Sequence, residues 1–414
     1  MIWQVVAVGH ECDLAVLSVD DEDFWVGTCA LEFGNVPELQ QSLVVVGFPT
    51  GGDNLCVTAG VVSRVDVHEY AHSGFSLLCV QIDAAVNPGN SGGPALQHDS
   101  NLVLGVAFQG REDAENVGYI IPSSVVHHFL SDIARNGNYT GFVTLGITWA
   151  PLENKHLRDY VGIDSCELRA YPGGPLLSHS GVMVCKVDKT RHSSDTLETG
   201  DTLLAIDGVS IADDGTIPFR VMERLAFAHL ISQKFPGDLC NVTILRRRTV
   251  LTKQVVLRAP KYLVPECVYD VPPRYLIVGG IVFVPLTLQY MLHEFGKRYF
   301  EKAPNALLGA IDERFQSCSS EEVVVLSQML ASEICSGYRP LISHNACTLA
   351  SSLDLSRYRT ATILDIYTVL TTELLSNPLR TAFRINRATS ALPMLLCWTQ
   401  QADVLPSRSR ALHA

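Results

Sequence analysis

The sequence predicts a mainly β protein that is built from several domains. Its 414 residues are too many for one ordinary core and sufficient for two or three domains. Hydrophobic residues make up 47% of the chain and charged residues 18%, which is typical of globular proteins and excludes disordered, collagenous and coiled-coil classes. Short apolar segments rich in β-branched residues alternate with Gly, Asn and Asp turns over the first third of the chain.

Seven strands are predicted before Pro122. They cover residues 5–8, 14–19, 42–48, 56–67, 76–82, 102–108 and 117–121. Their short lengths and turn-rich connections favour a barrel or a sandwich. Because no turn or cap precedes the first strand, we expect the chain to begin inside a sheet and to lack an N-terminal part of its first domain.

A helix is predicted directly after these strands. Pro122 stops the sheet, and Ser123 or Ser124 is expected to cap the helix. Gly137 is expected to end it. Its apolar residues share one face, namely Val125, Val126, Phe129, Leu130 and Ile133.

The composition also excludes several functions. The 31 Lys and Arg stand against 43 Asp and Glu, so a nucleic acid would meet a formal charge of −12. The longest apolar run, residues 275–288, has 14 residues, whereas a membrane-spanning helix needs about 20. The cysteines are scattered without a Cys-x-x-Cys pair, which argues for a reducing compartment. We therefore expect no nucleic-acid partner, no membrane span, no metal and no cofactor.

The strongest chemical signal is the segment Asn87-Pro-Gly-Asn-Ser-Gly-Gly-Pro94. A serine hydroxyl attacks a carbonyl only when a base lies beside it and donors stabilise the oxyanion. Glycines around Ser91 allow a tight backbone turn that would direct the N–H groups of Gly89 and Ser91 toward one point. A bare Gly-x-Ser-Gly would be interpreted as a glycine-rich turn, but here the flanking segments also form a pattern.

These flanking segments resemble the Deg/HtrA serine proteases, a chymotrypsin-like family. In order, they are Val46-Gly-Phe-Pro49, Val57-Thr-Ala-Gly-Val-Val-Ser-Arg64, Gln81-Ile-Asp83, Leu104-Gly-Val-Ala107 and Gly118-Tyr-Ile-Ile-Pro122. The resemblance covers residues 5 to about 345 and is closest to the plant nuclear-type Deg proteases with two PDZ-like modules. It implies a barrel protease domain over residues 1–137 with an incomplete first barrel. It also places Ser91 as the nucleophile and Asp13 as the triad aspartate.

The triad histidine is missing from this pattern. In chymotrypsin-like chains the order is His, Asp, Ser, and only His10 precedes Asp13. Three residues of extended chain put these two side chains on opposite faces of a strand, so His10 is not expected to be the base. Two interpretations stay open: a sequence that begins too late, or a natural pseudoenzyme that retains its binding modules.

Residues 138–262 are predicted to form the first PDZ-like module. Thr144-Leu-Gly-Ile147 resembles the carboxylate-binding loop of PDZ domains, in which backbone N–H groups hold a peptide C-terminus. The resemblance therefore makes Leu145, Gly146 and Ile147 candidate peptide-binding residues. A Gly-Asp pair before an apolar strand and an Asp-Gly turn after it, within residues 197–208, extend the likeness. Residues 220–234 are predicted to be a helix whose core stripe consists of Val221, Met222, Leu225, Leu230 and Ile231.

Residues 263–345 resemble the second, divergent PDZ unit of the plant proteases. The run 275–283 contains two glycines, as a loop before a binding strand would, and residues 321–330 are predicted to form a later strand. The resemblance fails beyond Tyr338. Residues 346–414 are interpreted as a divergent, partly disordered tail that is locally basic.

The pattern as a whole predicts a serine endopeptidase that acts on proteins, with PDZ modules for peptide binding and assembly. The resemblance implies a trimer-based homo-oligomer inside the cell, in the nucleus or alternatively in the chloroplast. The rival hypothesis is an inactive, PDZ-bearing protein that binds peptides. An α/β-hydrolase esterase is disfavoured because the segments flanking Ser91 are all β.

Overall fold

The computed structural model describes residues 3–49, 54–110, 117–165, 179–191, 196–278, 280–316 and 321–330. The chain forms two compact units, Met1–Pro260 and Lys261–Ala414. The mainly β class predicted from the sequence is confirmed. Among the described residues, no helix has the length and hydropathy of a membrane span.

The first part of unit 1 contains a closed barrel. Its strands are β3 (Ser42–Gly47), β4 (Cys56–Glu69), β5 (Ser76–Ile82), β6 (Pro94–Gln97), β7 (Val103–Gly110) and β8 (Gly118–Pro122). They pair antiparallel in the order β3-β4-β5-β8-β7-β6, which closes on itself. A separate antiparallel hairpin of β1 (Trp3–Gly9) and β2 (Leu14–Val19) comes before them and is followed by the short helix α1 (Glu22–Trp25). The barrel interior is filled by alternate apolar residues such as Leu43 and Val45 of β3.

Helix α2 (Ser123–Asn136) follows the barrel, as predicted. The expected serine cap is wrong, because Pro122 occupies the cap position and no side chain caps the helix. Gly137 ends the helix in the left-handed conformation, at φ 76°, and its N–H bonds to the Ile133 carbonyl. The buried face includes Val125 and Phe129, whereas Leu130 is exposed.

The part of unit 1 after α2, which we call module 1, is built on an antiparallel sheet. It contains β9 (Ile147–Pro151), α3 (Lys155–Val161), a 3₁₀ turn (Ile163–Ser165), β10 (Val182–Val187), β11 (Thr202–Ile206), β12 (Val209–Ser210), β13 (Thr216–Arg220), β14 (Glu223–Ala226), α4 (Ala228–Ser232), β15 (Leu239–Arg246) and β16 (Thr249–Val256). The strand order is β16-β15-β11-β10-β9, with β12 paired to β11. Within the described sheet, β9 is therefore an edge strand.

The predicted helix over residues 220–234 is wrong in its first half. Strands β13 and β14 pair as a two-stranded sheet there, and only α4 is helical. The pairing sets Ile217 opposite Leu225, so both apolar side chains are buried, while Val221 and Met222 at the turn are 99% and 92% exposed. The prediction failed because it placed Val221 and Leu225 on one helix face. In the hairpin, side chains alternate with a period of two, and Val221 lies at the exposed turn while Leu225 is buried.

This hairpin, Thr216–Ala226, docks module 1 onto the barrel, and we call it the docking hairpin. Leu225 is 0% exposed and belongs to the same core cluster as the barrel strands. The Arg220 guanidinium donates hydrogen bonds to the carbonyl oxygens of Pro37 and Val36, at 2.9 and 2.7 Å. An apolar anchor and two charge-assisted hydrogen bonds therefore fix the hairpin on the barrel.

A buried histidine forms a second contact between the barrel part and module 1. The ring of His128 in α2 stacks between Phe142 and Phe235, with centroids 4.6 and 4.3 Å away. Burial lowers the pKa of His128, although the carboxylates of Asp132 and Asp238 act in the opposite direction. The neutral imidazole is therefore the form that this contact favours.

Unit 2 is a small α+β body. It contains β17 (Leu276–Val278), β18 (Ile281–Pro285), α5 (Leu288–Phe295), α6 (Tyr299–Lys302), α7 (Asn305–Glu313) and β19 (Val324–Met329), with strand order β17-β18-β19. The strand predicted within 321–330 is confirmed as β19. The glycine-containing run 275–283 forms a hairpin, with Gly280 at φ 84° in its turn. The predicted tail lies outside the described residues.

Candidate active site and peptide-binding edge

Ser91 lies in two tight turns between β5 and β6. The Asn90 N–H bonds to the Asn87 carbonyl at 2.9 Å, and the Gly93 N–H bonds to the Asn90 carbonyl at 3.0 Å. Gly89 and Gly92 have φ angles of 103° and 87°, which side chains other than glycine rarely adopt. The turns leave Ser91 exposed at the barrel surface.

The loop that carries Ser91 packs directly against strand β3. A Cβ atom on Gly93 would overlap the Val46 carbonyl oxygen, and one on Gly47 would lie 2.7 Å from Asn90 Oδ1. Asn90 itself is buried, and its amide donates to the Ala85 carbonyl at 3.4 Å. Glycine is thus needed at residues 47 and 93 because two backbones approach closely.

The backbone amides of Gly89 and Ser91 are available as donors. Neither N–H makes a hydrogen bond to any residue that the structure describes, whereas the Gly89 carbonyl accepts one from the Phe48 N–H at 3.2 Å. Free amides beside an exposed serine are the donors that an oxyanion hole requires. The two amides are therefore not occupied by other described groups, and their role in an oxyanion hole stays a prediction.

The Ser91 hydroxyl is bonded to the barrel rather than to a base. Ser91 Oγ donates to the Phe108 carbonyl of β7 at 3.2 Å, and the Gly92 N–H bonds to the neighbouring Ala107 carbonyl at 2.7 Å. Tyr70 packs its ring 4.6 Å from that of Phe108, and full burial raises its pKa well above the ordinary value. Tyr70 therefore stays protonated and is no candidate for a general base beside Ser91.

Asp13 lies in the turn between β1 and β2. It adopts φ 54° and is exposed, and its N–H bonds to the His10 carbonyl at 3.3 Å. The imidazole of His10 instead contacts that of His72, with Nδ1 and Nε2 3.1 Å apart. Among the described residues, no hydrogen bond joins a histidine to the Asp13 carboxylate or to Ser91 Oγ. Within the described part of the chain, Asp13 and Ser91 are therefore not joined through a histidine, and their catalytic roles stay predictions.

The candidate carboxylate loop leads into edge strand β9. Gly146 is buried at φ 67°, and its carbonyl accepts a hydrogen bond from the Asp188 N–H at 2.8 Å. Leu145 is buried in the core of module 1, and Ile147 begins β9. A peptide can add a strand only at an exposed sheet edge, so β9 is the edge at which the predicted peptide capture would take place.

A buried cation holds this loop, and the sequence analysis did not identify it. The Arg191 side chain is 6% exposed and forms an ion pair with the buried Asp188 at 2.7 Å. It donates to Thr144 Oγ1 at 3.3 Å and to the Arg258 carbonyl at 3.0 Å. The three-residue spacing of Asp188 and Arg191 could have suggested an ion pair. The sequence gives no local pattern for the other partners of Arg191, because they lie in distant segments.

Comparisons with known proteins agree with this architecture. Residues 1–106 match the family described as trypsin-like peptidase domain, and residues 264–348 match the PDZ domain family. The barrel and the two matches place the chain in the class of proteins that combine a trypsin-like peptidase domain with a PDZ domain. The described residues contain no cluster of three or more His, Cys, Asp or Glu that could hold a metal.

Similar proteins narrow this class to one family. The chain is 43% identical over 346 residues to "Protease Do-like 2, chloroplastic" of Arabidopsis thaliana, covering 82% of this chain and 53% of the relative. It is 42% identical over 288 residues to "Protease Do-like 4, mitochondrial" of the same plant, covering 70% and 53%. The solved structure "HtrA-type protease AlgW with decapeptide" is 22% identical at a TM-score of 0.47, covering 63% of this chain and 72% of that one. The chain belongs to the Deg/HtrA family of serine proteases.

The relatives also differ from this chain in length, and their names indicate an organelle. The chain spans about half the length of the relatives that it matches. Their names are chloroplastic or mitochondrial, which gives no support to the nuclear location expected from the sequence.

Proposed function

We propose that this chain carries the nucleophile and the oxyanion hole of a serine endopeptidase that acts on proteins. The observation that carries the proposal is the exposed Ser91 in a glycine loop, with the amides of Gly89 and Ser91 free of other described partners. Family membership supports the same reaction. No metal or cofactor is needed for this chemistry.

The reaction would proceed by acyl transfer. Ser91 Oγ turns away from the Phe108 carbonyl and attacks the scissile carbonyl carbon, while a histidine base takes the hydroxyl proton. The Gly89 and Ser91 amides bind the oxyanion, and Asp13 would hold the base in the correct tautomer. The proton then passes to the leaving amine, and water hydrolyses the acyl-enzyme in the same way.

Module 1 would bind peptides at its free edge. The backbone N–H groups around Leu145, Gly146 and Ile147 would hold a terminal carboxylate while the peptide pairs with β9. Arg191, which is paired with Asp188, would fix the backbone of this loop. Binding here would retain protein substrates near Ser91 or regulate access to it.

The proposal also covers the organelle, the domain boundaries and the oligomeric state of the protein. The named relatives favour the chloroplast over the nucleus, with the mitochondrion as the other organelle represented among them. We place a protease domain at 1–137, PDZ-like modules at 138–262 and 263–345, and a tail at 346–414. A trimer-based homo-oligomer is part of the same proposal.

A second candidate function is supported by one observation. Ser91 Oγ is bonded to a backbone carbonyl, and no described histidine is bonded to it. A chain of this kind could bind peptides through module 1 without cleaving them.

Chemical rescue distinguishes the two candidates. The full chain, Ser91→Ala and the matched surface variant Ser63→Ala would be assayed on a peptide ester with and without imidazole as an added base. We expect imidazole to raise the rate of the unmodified chain and of Ser63→Ala above the rate of Ser91→Ala. Equal rates in all three proteins would refute the role of Ser91 and leave peptide binding as the function.

A further inference from the structure

A short segment, residues 83–86, leads from strand β5 to the loop that carries the candidate nucleophile, and it is held against strand β4. The Val61 N–H donates to Asp83 Oδ1 at 2.6 Å, and the Asp83 N–H donates to the Val61 carbonyl at 3.2 Å. A Cβ atom on Gly60 would overlap the Ala84 backbone nitrogen. Strand β4 therefore fixes the backbone path of this segment.

Strands β7 and β8 also contact the segment. A Cβ atom on Gly118 of β8 would lie 2.6 Å from Val86 Cγ2 and 3.0 Å from the Ala84 carbonyl oxygen. A Cβ atom on Gly110 of β7 would lie 3.1 Å from the Val86 carbonyl oxygen. The segment thus touches three strands of the barrel, so its carbonyl groups have little freedom to move.

One carbonyl in this segment connects strand β4 to the residue before the nucleophile. The Ala85 carbonyl oxygen accepts a hydrogen bond from Thr58 Oγ1 of β4 at 3.0 Å and another from Asn90 Nδ2 at 3.4 Å. A carbonyl oxygen has two lone pairs, and these two donors use both. Asn90 directly precedes Ser91, so the hydroxyl of Thr58 and the loop that carries Ser91 share one acceptor.

Asn90 determines the shape of that loop. Its N–H donates to the Asn87 carbonyl, and its own carbonyl accepts from the Gly93 N–H, so its backbone closes both turns around Ser91. The Asn90 side chain is buried, and Nδ2 donates to Ala85 alone among the described residues. Asn90 Oδ1 is buried and has no hydrogen-bond partner in the described part of the chain. The bond to Ala85 is therefore the one described polar anchor of this side chain.

We propose that Thr58 is a positioning residue for the reaction at Ser91. Its hydroxyl holds the Ala85 carbonyl where Asn90 can reach it. Asn90 in turn holds the loop in the shape that presents the Gly89 and Ser91 amides to an oxyanion. The inference rests on the proposed reaction at Ser91, and it adds a residue of strand β4 that acts through the loop rather than on the substrate.

The size of the effect follows from the loss of one hydrogen bond. Thr58→Val removes the donor and keeps the β-branched shape, so the loop must adopt its catalytic shape without this bond. One neutral hydrogen bond changes an equilibrium about two- to tenfold, and kcat should fall by about that factor. KM should stay unchanged, because the lost stabilisation concerns the oxyanion, which develops in the transition state. Thr58→Ser retains the donor and should retain the rate.

The test measures hydrolysis of a peptide ester by the full chain with imidazole as the added base. The unmodified protein is compared with Thr58→Val, Thr58→Ser, Ser91→Ala and the control Ser63→Ala, which is exposed in the same strand. We expect Thr58→Val to lower kcat at unchanged KM, and Thr58→Ser and Ser63→Ala to match the unmodified protein. An unchanged kcat in Thr58→Val, or an equal loss in Thr58→Ser, would overturn the inference while a rate that depends on Ser91 retains the proposed function. A rate in Ser91→Ala equal to the unmodified rate would refute the proposed function and this inference together.

A second measurement needs no turnover and separates positioning from folding. Phenylboronic acid forms an adduct in which the serine oxygen bonds to boron, the hydroxyl proton passes to solvent, and the tetrahedral boronate carries a negative charge beside the oxyanion donors. Boron NMR titration should give a dissociation constant about two- to tenfold higher in Thr58→Val than in Thr58→Ser. Partial unfolding would lower the amount of adduct without changing its dissociation constant. Equal dissociation constants in the two variants would therefore overturn the positioning role.

Discussion

Replacing Leu225 by alanine should destabilise the barrel, although the residue belongs to module 1. Leu225 is 0% exposed and lies in the same core cluster as Leu43, Val62 and Ile82 of the barrel strands. The substitution would leave a cavity in that core.

The magnitude follows from the burial. A fully buried Leu→Ala change costs about 2–5 kcal/mol, as the lost transfer free energy plus the cavity. In a unit of this size, each kcal/mol lowers the unfolding midpoint by about 2–4 °C. We therefore expect Leu225→Ala to lower the midpoint by about 5–15 °C.

Val221 in the same hairpin provides the matched control. It is 99% exposed at the turn, so Val221→Ala should change the free energy of unfolding by no more than about 0.5 kcal/mol. Thermal unfolding of the full chain and both variants, followed by circular dichroism, measures the two shifts.

The pair also separates the hairpin from the helix that the sequence predicted. On a helix, Val221 and Leu225 would be four residues apart on one face and would respond alike. A Leu225→Ala shift below about 2 °C, or equal shifts for both variants, would refute the docking of this hairpin into the barrel core.

Three further expectations concern catalysis, peptide capture and pH. Without an added base the 414-residue chain should cleave casein negligibly; strong cleavage that is lost in Ser91→Ala would show that a histidine of this chain acts as the base. Amidating a bound peptide should remove a charge-assisted hydrogen bond and weaken its binding to the full chain about tenfold or more, as should Gly146→Val at its φ of 67°; unchanged titration curves would argue against carboxylate capture. Burial lowers the folded-state pKa of His128 below the unfolded value of 6.5, so its contribution to stability is full above pH 6.5 and is lost as pH falls toward the lower folded pKa. Unfolding midpoints at neutral and mildly acidic pH should therefore fall less in His128→Phe, and an identical fall in both proteins would exclude this cause.

Local patterns predicted most of the barrel because its strands are short, apolar and bounded by turns. Strand β5 occupies the predicted residues 76–82, and Gly137 ends α2 as expected. Strand β6 (Pro94–Gln97) was not predicted, since it has four residues and follows the glycine loop directly. Its place in the barrel depends on pairing with β3 and β7, which no local window contains.

In the candidate site, too, the local features could be predicted from the sequence and the long-range contacts could not. The glycine loop could be predicted because left-handed turns require particular residues within a few positions of Ser91. The Phe108 carbonyl that accepts from Ser91 is 17 residues away, and the partners of Arg191 are 47 and 67 residues away. Such contacts are set by the fold, so periodicity and spacing along the chain do not reveal them.

The docking hairpin has a consequence for how this protein can be divided. Removing module 1 would remove Leu225 from the barrel core and break the two Arg220 hydrogen bonds. The apolar residues that contact Leu225 in the barrel would then be exposed to water. The excised module would in turn expose the same apolar residues to water. A chimeric protease would therefore have to keep residues 216–226 together with the barrel surface that they cover. The barrel and the docking hairpin can thus be exchanged between proteins only together.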